Sequence, residues 1–278
     1  GTRKTTNDAG LIRYLMRHRH TTPFEMCEIK YHVKLPIFVA RQWIRHRTAN
    51  VNEYSARYSV LDREFYVPDQ DFLGSRSAER RIERNLQKGQ PDLFGANIEA
   101  KPSNLAMQSQ SNRQGREDVL PSDEAKEILS LIKAEAAREY TIYLKLLNED
   151  KYGAVKDPDR HGLARELARM VLPANIYTQW YWKIDLHNLL HFLSLRADSH
   201  AQYEIRVYAE AMLETVKKWM PLTHQAFLDY RMGGATLSAK DLAVVRGLTR
   251  GEAVDQAASG LSKREWRELM EVLEREES

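Results

Sequence analysis

Apolar positions follow two different rhythms along the chain, and the order in which they occur predicts a mixed architecture. Between residues 7 and 18, Leu11, Ile12, Leu15 and Met16 recur at helical spacing, with Asn7 or Asp8 placed to cap the first turn. Arg17-His18-Arg19-His20 closes that helix, and Thr21-Thr22-Pro23 is expected to break it. Between residues 24 and 35 the period drops to two. Cys27, Ile29, Tyr31, Val33 and Leu35 alternate with Glu28, Lys30, His32 and Lys34, which predicts a half-buried antiparallel strand. Pro36 suits the first position of a helix carrying Ile37, Phe38 and Ile44. A second strand is expected from residue 176 to 184, where Tyr177, Trp180, Tyr181 and Trp182 concentrate aromatic side chains.

Helices are predicted around and after these strands. One starts at Pro121-Ser122-Asp123-Glu124 and runs to about Asn148 on Ile128, Leu131, Ile132, Ala136, Tyr140, Tyr143, Leu144 and Leu147. Others span 157–173, from Asp157-Pro158 to the stop at Pro173, then 185–195, 200–219 and 221–230. The tail carries a capping box, Ser262-Lys-Arg-Glu265, ahead of a charged helix. Helices bracketing separated antiparallel strands predict an α+β fold: an antiparallel sheet packed with helices in one domain over residues 1–278.

Two stretches fit neither rhythm. Residues 74–122 are rich in Arg, Gln, Asn and Ser, including Gln108-Ser109-Gln110-Ser111-Asn112, and read as a polar insertion or lid; residues 80–84 suit a short charged helix. Residues 239–278 read as a helical extension. The other stretch is Arg45-His-Arg-Thr-Ala-Asn-Val-Asn-Glu-Tyr-Ser-Ala-Arg57, which is either a solvated turn or a site for an anion. The strongly apolar lead-in from Leu35 to Ile44 favours the site, because cations delivered on a buried element are held rigidly and lose less entropy on binding phosphate.

Composition narrows the choice of partner. Forty-two Lys and Arg against 39 Asp and Glu leave a net charge of only +3, so any anion site is local and bulk attraction to nucleic acid is not implied. The single Cys27 excludes an internal disulfide framework and fits a reducing cytoplasm. No run approaches a membrane span, and no secretion signal is expected; the start at Gly1-Thr2-Arg3, without Met, suggests a processed, tagged or truncated beginning. There is no internal repeat, no Gly-rich phosphate loop and no Rossmann fingerprint.

Each candidate group has a plainer reading beside it. Ser55 lacks a nucleophile elbow, so a hydroxyl between Glu53 and Arg57 is better suited to donating a hydrogen bond to a ligand oxygen. Cys27 sits on the apolar side of the first strand and is expected to be buried. His18 with His20, or His187 with His191, has metal-like spacing without a local third ligand. Arg196, ahead of the capping pair Asp198-Ser199, is either solvated or held by Asp198 and aimed inward; Arg169, before Leu172-Pro173, poses the same choice.

Arg45-His46-Arg47, seven residues and then Ser55 resembles the signature of the flavin-dependent thymidylate synthases. His20-Thr-Thr-Pro-Phe-Glu25, Arg169-Met-Val-Leu-Pro173 and Leu195-Arg-Ala-Asp-Ser-His-Ala-Gln-Tyr-Glu204 resemble further blocks of that family, in the same order. The resemblance implies reductive methylation of dUMP to dTMP, with methylenetetrahydrofolate as carbon donor and FAD and NADPH as hydride source. It implies a homotetramer whose sites form between protomers, with no metal and no cysteine nucleophile. Carried over by position, Thr22, Arg45, His46, Arg47, Glu53, Asp185, Leu186, His187 and His191 would contact FAD. Gln42, Trp43, Ile44, Arg45, Glu53, Tyr54, Ser55, Ala56, Arg57, Arg169 and Arg196 would surround dUMP, with Arg196 catalytic; His20 and Glu25 match further positions near the flavin. Family members often carry Asn, Arg and Asn where this chain has Asp185, His187 and His191, and they have a strand and loop ahead of the first helix.

The implied chemistry agrees with the residue types. Phosphates and carboxylates call for arginines, and a cation facing the N3/O4 edge of uracil would stabilise charge developing on the ring. The rival from another class is a nucleic-acid-binding module built on the Arg clusters and the aromatic run at 177–182. Near-zero net charge and the strand-like pattern of that run oppose it. A catalytically dead homologue is opposed by the joint presence of Arg45, Ser55, Arg57, Arg169 and Arg196.

Overall fold

A computed structural model describes residues 7–68, 106–108, 116–120 and 122–274. The chain divides into two compact units, Gly1–Thr21 with Ala211–Ser278, and Thr22–Glu210. In the first unit the N-terminal helix is α1 (Asp8–Arg17), and Asn7 caps it by accepting from Gly10 N at 2.6 Å.

The second unit holds the sheet. The Thr21-Thr22-Pro23 segment does not simply break the chain: Thr22–Glu25 forms one short helical turn, α2, with Pro23 tolerated in the first turn where its missing N–H costs nothing. Strand β1 (Glu28–Pro36) therefore starts four residues later than the alternation suggested, and Cys27 precedes it, half-buried, with its thiol 3.8 Å from Pro23 O. Pro36 ends the strand and is the N-cap of α3 (Ile37–Trp43), one position earlier than expected.

Strand β2 (Asn50–Glu53) was not legible as a strand. All four residues are exposed and only Val51 is apolar, so the hydrophobic rhythm that marks β1 is missing; backbone pairing at a sheet edge holds it instead. Most of the 74–122 stretch lies outside the described residues, as does the short helix expected at 80–84. Its described parts, β3 (Ala106–Gln108) and β4 (Arg116–Val119), pair antiparallel with each other.

Helix α4 (Ser122–Leu147) matches its expectation and ends where Asn148 turns left-handed, at φ 55°. The helix predicted from Asp157 is a turn. Asn148, 5% exposed, donates to Asp157 O at 2.7 Å and Arg160 O at 2.8 Å and accepts from Asp157 N at 3.2 Å, which consumes the backbone groups a helix start would need. Gly162 then passes so close to α4 that a Cβ there would meet Leu147 O at 1.9 Å. Helix begins only at α5 (Arg165–Ala168), continued by a 3₁₀ turn, Arg169–Val171.

Strand β5 (Tyr177–Asp185) is the centre of the three-stranded antiparallel sheet, in the order β1-β5-β2. Its register places Val33 opposite Trp180 and Tyr31 opposite Trp182 on one side, and Glu53 opposite Trp180 on the other. Asp185 caps α6 (Leu186–Arg196), accepting from Asn188 N at 2.9 Å. The chain continues into α7 (Tyr203–Trp219), which starts three residues later than expected. The fold is α+β, helices around a small antiparallel sheet.

Among the described residues, this unit packs around two groups of buried side chains. Leu61, Tyr140, Tyr143, Leu147, Ala168 and Ile176 form one, in which Tyr140 Oη donates to Leu61 O at 2.6 Å. The other is aromatic and centred on Trp43, which is fully buried, with ring centroids of Phe192 at 4.9 Å, Trp182 at 5.2 Å, Tyr208 at 5.7 Å and Trp180 at 5.8 Å. It ties α3, β5, α6 and α7 together beneath Arg45-His46-Arg47.

In the first unit, α8 (Pro221–Phe227) packs on α1 and runs into a π-helical turn, Leu228–Met232. Beyond it, α9 (Ala239–Thr249), α10 (Gln256–Ser259) and α11 (Lys263–Glu274) enclose Val244, Leu261 and Leu269. The expected capping box is present, Ser262 N donating to Glu265 Oε2 at 2.7 Å and Glu265 N to Ser262 Oγ at 3.3 Å; Ser238 and Asp241 form another. No helix among the described residues is long and apolar enough to cross a membrane.

Candidate active site

The basic segment leaves the end of α3 as two tight turns. Ile44 N donates to Ala40 O, Arg45 N to Gln42 O, and His46 N to Trp43 O at 2.9 Å, so the segment is fastened to a helix whose own base is the buried Trp43. Arg45 and Arg47 are exposed, while His46 is half-buried with its ring edge-on to Phe192 at 4.9 Å. Arg196, from the last turn of α6, donates its Nε–H to His46 Nε2 at 3.0 Å. Residues 150 positions apart are thus joined, and the partner of Arg196 is His46 rather than Asp198, whose Oδ1 instead accepts from His200 N and lies 2.9 Å from His200 Nδ1.

Charge follows from that contact. Burial, then the positive charge of Arg196, then His191, push His46 down to about 4, so the imidazole is neutral at physiological pH and its Nε2 lone pair is free to accept. Burial also lowers the pKa of Arg196, but a guanidinium remains charged at any pH where the protein folds.

Farther along, at the end of β2, Glu53 is oriented by Thr178 of β5, whose hydroxyl donates to Glu53 Oε1 at 2.8 Å; Thr178 is 4% exposed. Tyr54 N continues the pairing by donating to Gln179 O at 2.8 Å. Ser55 then caps a turn: its Oγ accepts from Arg57 N at 3.3 Å and its carbonyl accepts from Tyr58 N and Ser59 N. The turn is braced by Arg165, which donates from Nη1 to Tyr58 O at 2.6 Å and pairs with Glu149 through Nε to Oε2 at 3.2 Å and Nη2 to Oε1 at 3.0 Å. Ala56 is half-buried against the Leu61 core, and the Arg57 guanidinium lies 5.5 Å from the Tyr58 ring centroid.

The remaining residues divide. Asp185 is committed to capping, with Oδ1 on Asn188 N and Oδ2 on Asn188 Nδ2 at 2.7 Å, and Leu186 is 1% exposed with its N–H given to Cys27 O. His187 is half-buried and His191 exposed on the same helix; Thr22 is exposed on α2, which packs against α6. Gln42 is half-buried with Oε1 unpartnered among the described residues, Trp43 presents only its backbone, and Ile44 is 38% exposed. Arg169 is exposed, its Nε donating to Glu166 O at 3.2 Å, and no contact joins it to Arg45 or Arg196. Among the described residues no three His, Cys, Asp or Glu side chains gather as a metal site.

Thr178, Phe192 and Asn188 are the residues that sequence reading missed. Each acts through a neighbour, and the signal for Thr178 was a small aliphatic hydroxyl in an aromatic strand; which acid it faced depended on a register that periodicity does not supply.

The donor set suits an anionic ligand. Among the described residues no carboxylate pairs with Arg45, Arg47, Arg57, Arg169 or Arg196, so five guanidiniums retain their capacity for phosphate.

Residues 1–222 match the sequence profile of the thymidylate synthase complementing protein family. The chain is 56% identical to a flavin-dependent thymidylate synthase of Gluconobacter oxydans over 99% of this chain and 77% of that protein. It is 54% identical to that of Ruegeria pomeroyi over 99% and 78%, and 52% identical to that of Rickettsia bellii over 98% and 82%. Among solved structures it is similar to the UMP/dUMP methylase PolB of Streptomyces cacaoi bound with 5-Br dUMP, with a TM-score of 0.59 and 30% identity, covering 82% of this chain and 83% of that one. The same methylase bound with 5-Br UMP aligns with a TM-score of 0.60 at 32% identity, covering 82% and 86%.

Proposed function

Since this chain belongs to the family of flavin-dependent thymidylate synthases, we propose that it methylates dUMP reductively to dTMP, using methylenetetrahydrofolate as carbon donor and NADPH as reductant through bound FAD. The observation that carries the reading is Arg196: a half-buried guanidinium without a carboxylate partner among the described residues, tethered through Nε beside the Arg45-His46-Arg47 turns. Both of its Nη groups remain for a ligand.

Arg45, His46, Arg47 and Thr22 would hold FAD with help from His187 and His191 on α6. Asp185 and Leu186 would support that helix's start more than touch the cofactor themselves. When bound, the flavin supplies the hydride that brings the transferred one-carbon unit to a methyl group. The protein's task is orientation and charge. Gln42, Ile44, Tyr54, Ser55, Ala56, Arg57 and Arg169 would surround dUMP, with Ser55 Oγ and the Arg57 guanidinium available to its phosphate and Glu53 fixed by Thr178 between nucleotide and flavin. Arg196 would face the N3/O4 edge of uracil and stabilise charge developing there, an effect that is large because the donor is in place before the reaction starts. No cysteine nucleophile is needed; Cys27 is half-buried ahead of β1.

The reading includes a homotetramer whose sites are completed by neighbouring chains, and Arg169, exposed and bonded to Glu166 O, would serve such a shared site. In this reading the chain acts as one cytoplasmic synthase domain over residues 1–278, with residues 74–122 as a polar insertion and 239–278 as an extension.

Purified protein is expected to be yellow, and its flavin absorbance to bleach when NADPH is added anaerobically. A colourless protein that FAD cannot reconstitute contradicts the proposal; tight, salt-sensitive RNA binding by such a protein would favour the nucleic-acid reading.

A further inference from the structure

We propose that His46 is a positioning residue for Arg196: its Nε2 takes the Nε–H of Arg196 and fixes the plane of the guanidinium, leaving both Nη groups for the pyrimidine edge. The inference rests on the synthase reading above and adds to it a division of labour within Arg45-His46-Arg47.

Geometry argues for it from both ends of the contact. His46 is itself fixed, by its own N–H on Trp43 O at 2.9 Å and by Phe192 edge-on at 4.9 Å. Phe192 is fully buried and lies one helical turn before Arg196 on α6, so ring and guanidinium rest on the same stripe of that helix. Arg196 makes no other hydrogen bond among the described residues. Without His46 a long side chain at a helix C-terminus would sample several rotamers, and every productive encounter would first have to freeze them.

The contact requires a neutral imidazole, and the surroundings enforce it. Arg196 and His191 face the ring from α6, and Arg45 and Arg47 flank it in its own turns; all are cationic or can become so, and burial acts in the same direction. Protonation would remove the acceptor and set two cations 3.0 Å apart. The neutral tautomer that accepts at Nε2 carries its proton on Nδ1, which has no partner among the described residues and remains for the flavin.

The test compares His46→Gln, whose Oε1 can stand near the place of Nε2 and accept, with His46→Leu, which fills similar space and cannot. Relative to wild type, kcat for dTMP formation is expected to fall about 10- to 100-fold in H46L, the range for losing a hydrogen bond to a charged group. H46Q is expected to recover most of it, with flavin content similar in the two variants. Equal loss in H46Q and H46L, or full kcat in H46L, overturns the proposal. A second arm needs no turnover. In flavin-free protein with isotope-labelled histidine, one of nine histidines, identified by its absence from H46Q, should stay neutral down to about pH 4. In Arg196→Met its midpoint should rise toward 6.5. An unchanged midpoint also overturns the proposal. If the wild-type protein makes no dTMP at all, the functional reading has failed, and the titration still decides whether His46 and Arg196 are coupled.

Discussion

Arg196→Lys is expected to keep its flavin and to lose dTMP formation by about 100- to 1000-fold, the usual consequence of removing one preorganised donor from an electrostatic site. The reason lies in how Arg196 is held. Its Nε is spent on His46 and its two Nη groups are not, so a single side chain is both tethered and able to address two acceptors on one planar edge. A lysine has one ammonium, which can satisfy His46 Nε2 or the ligand but cannot span both. The substitution keeps the charge, leaves α6 packed through Phe192 and Leu193, and does not touch Arg45 or Arg47. Loss of turnover with retained flavin absorbance therefore isolates the guanidinium's geometry. Turnover within a few-fold of wild type would remove Arg196 from the reaction.

Trp43→Ala is expected to cost about 3–5 kcal/mol of stability, as large-to-small changes at a fully buried aromatic do. Trp43 has no exposed surface and touches Trp180, Trp182, Phe192 and Tyr208, four rings contributed by three elements. Truncation opens a cavity where α3 meets β5, and the turns above it, which begin from Trp43 O, lose their base. Urea denaturation at fixed protein concentration measures the effect, with Trp43→Phe expected to lie between wild type and W43A. A change below about 1 kcal/mol in W43A would show that the aromatic cluster does not carry the sheet.

The parts of this molecule legible from sequence are those that local chemistry dictates. Alternation in Ile29, Tyr31, Val33 and Leu35 announced β1; the aromatic run announced β5; the Ser262–Glu265 box announced α11. Where a distant group decides, the pattern was silent or misleading. Asp157-Pro158 carries a capping acid and a proline at the first helical position, yet the buried side chain of Asn148 takes its backbone into a turn. Strand β2 has no apolar rhythm because it lies at an edge with both faces exposed, and only the backbone of β5 makes it a strand. The site divides in the same way. The cluster at residues 45–57 offered itself by composition as a solvated turn or an anion site, and its motif resembled the family to which the chain belongs. The contacts Arg196–His46 and Thr178–Glu53 span 150 and 125 residues and depend on helix packing and strand register, which no spacing encodes. One local guess, Asp198 as the holder of Arg196, failed because Asp198 turns back to His200.

The most direct measurement follows the folate. A methylene unit must gain two electrons to become the methyl group of dTMP. If they come from NADPH through the flavin, methylenetetrahydrofolate leaves as tetrahydrofolate; if the folate supplies them itself, it leaves as dihydrofolate. Wild-type protein given dUMP, methylenetetrahydrofolate and NADPH is expected to yield dTMP, tetrahydrofolate and NADP⁺ in equal amounts. Dihydrofolate appearing in step with dTMP, or no dTMP from flavin-loaded protein, would contradict the proposed reaction.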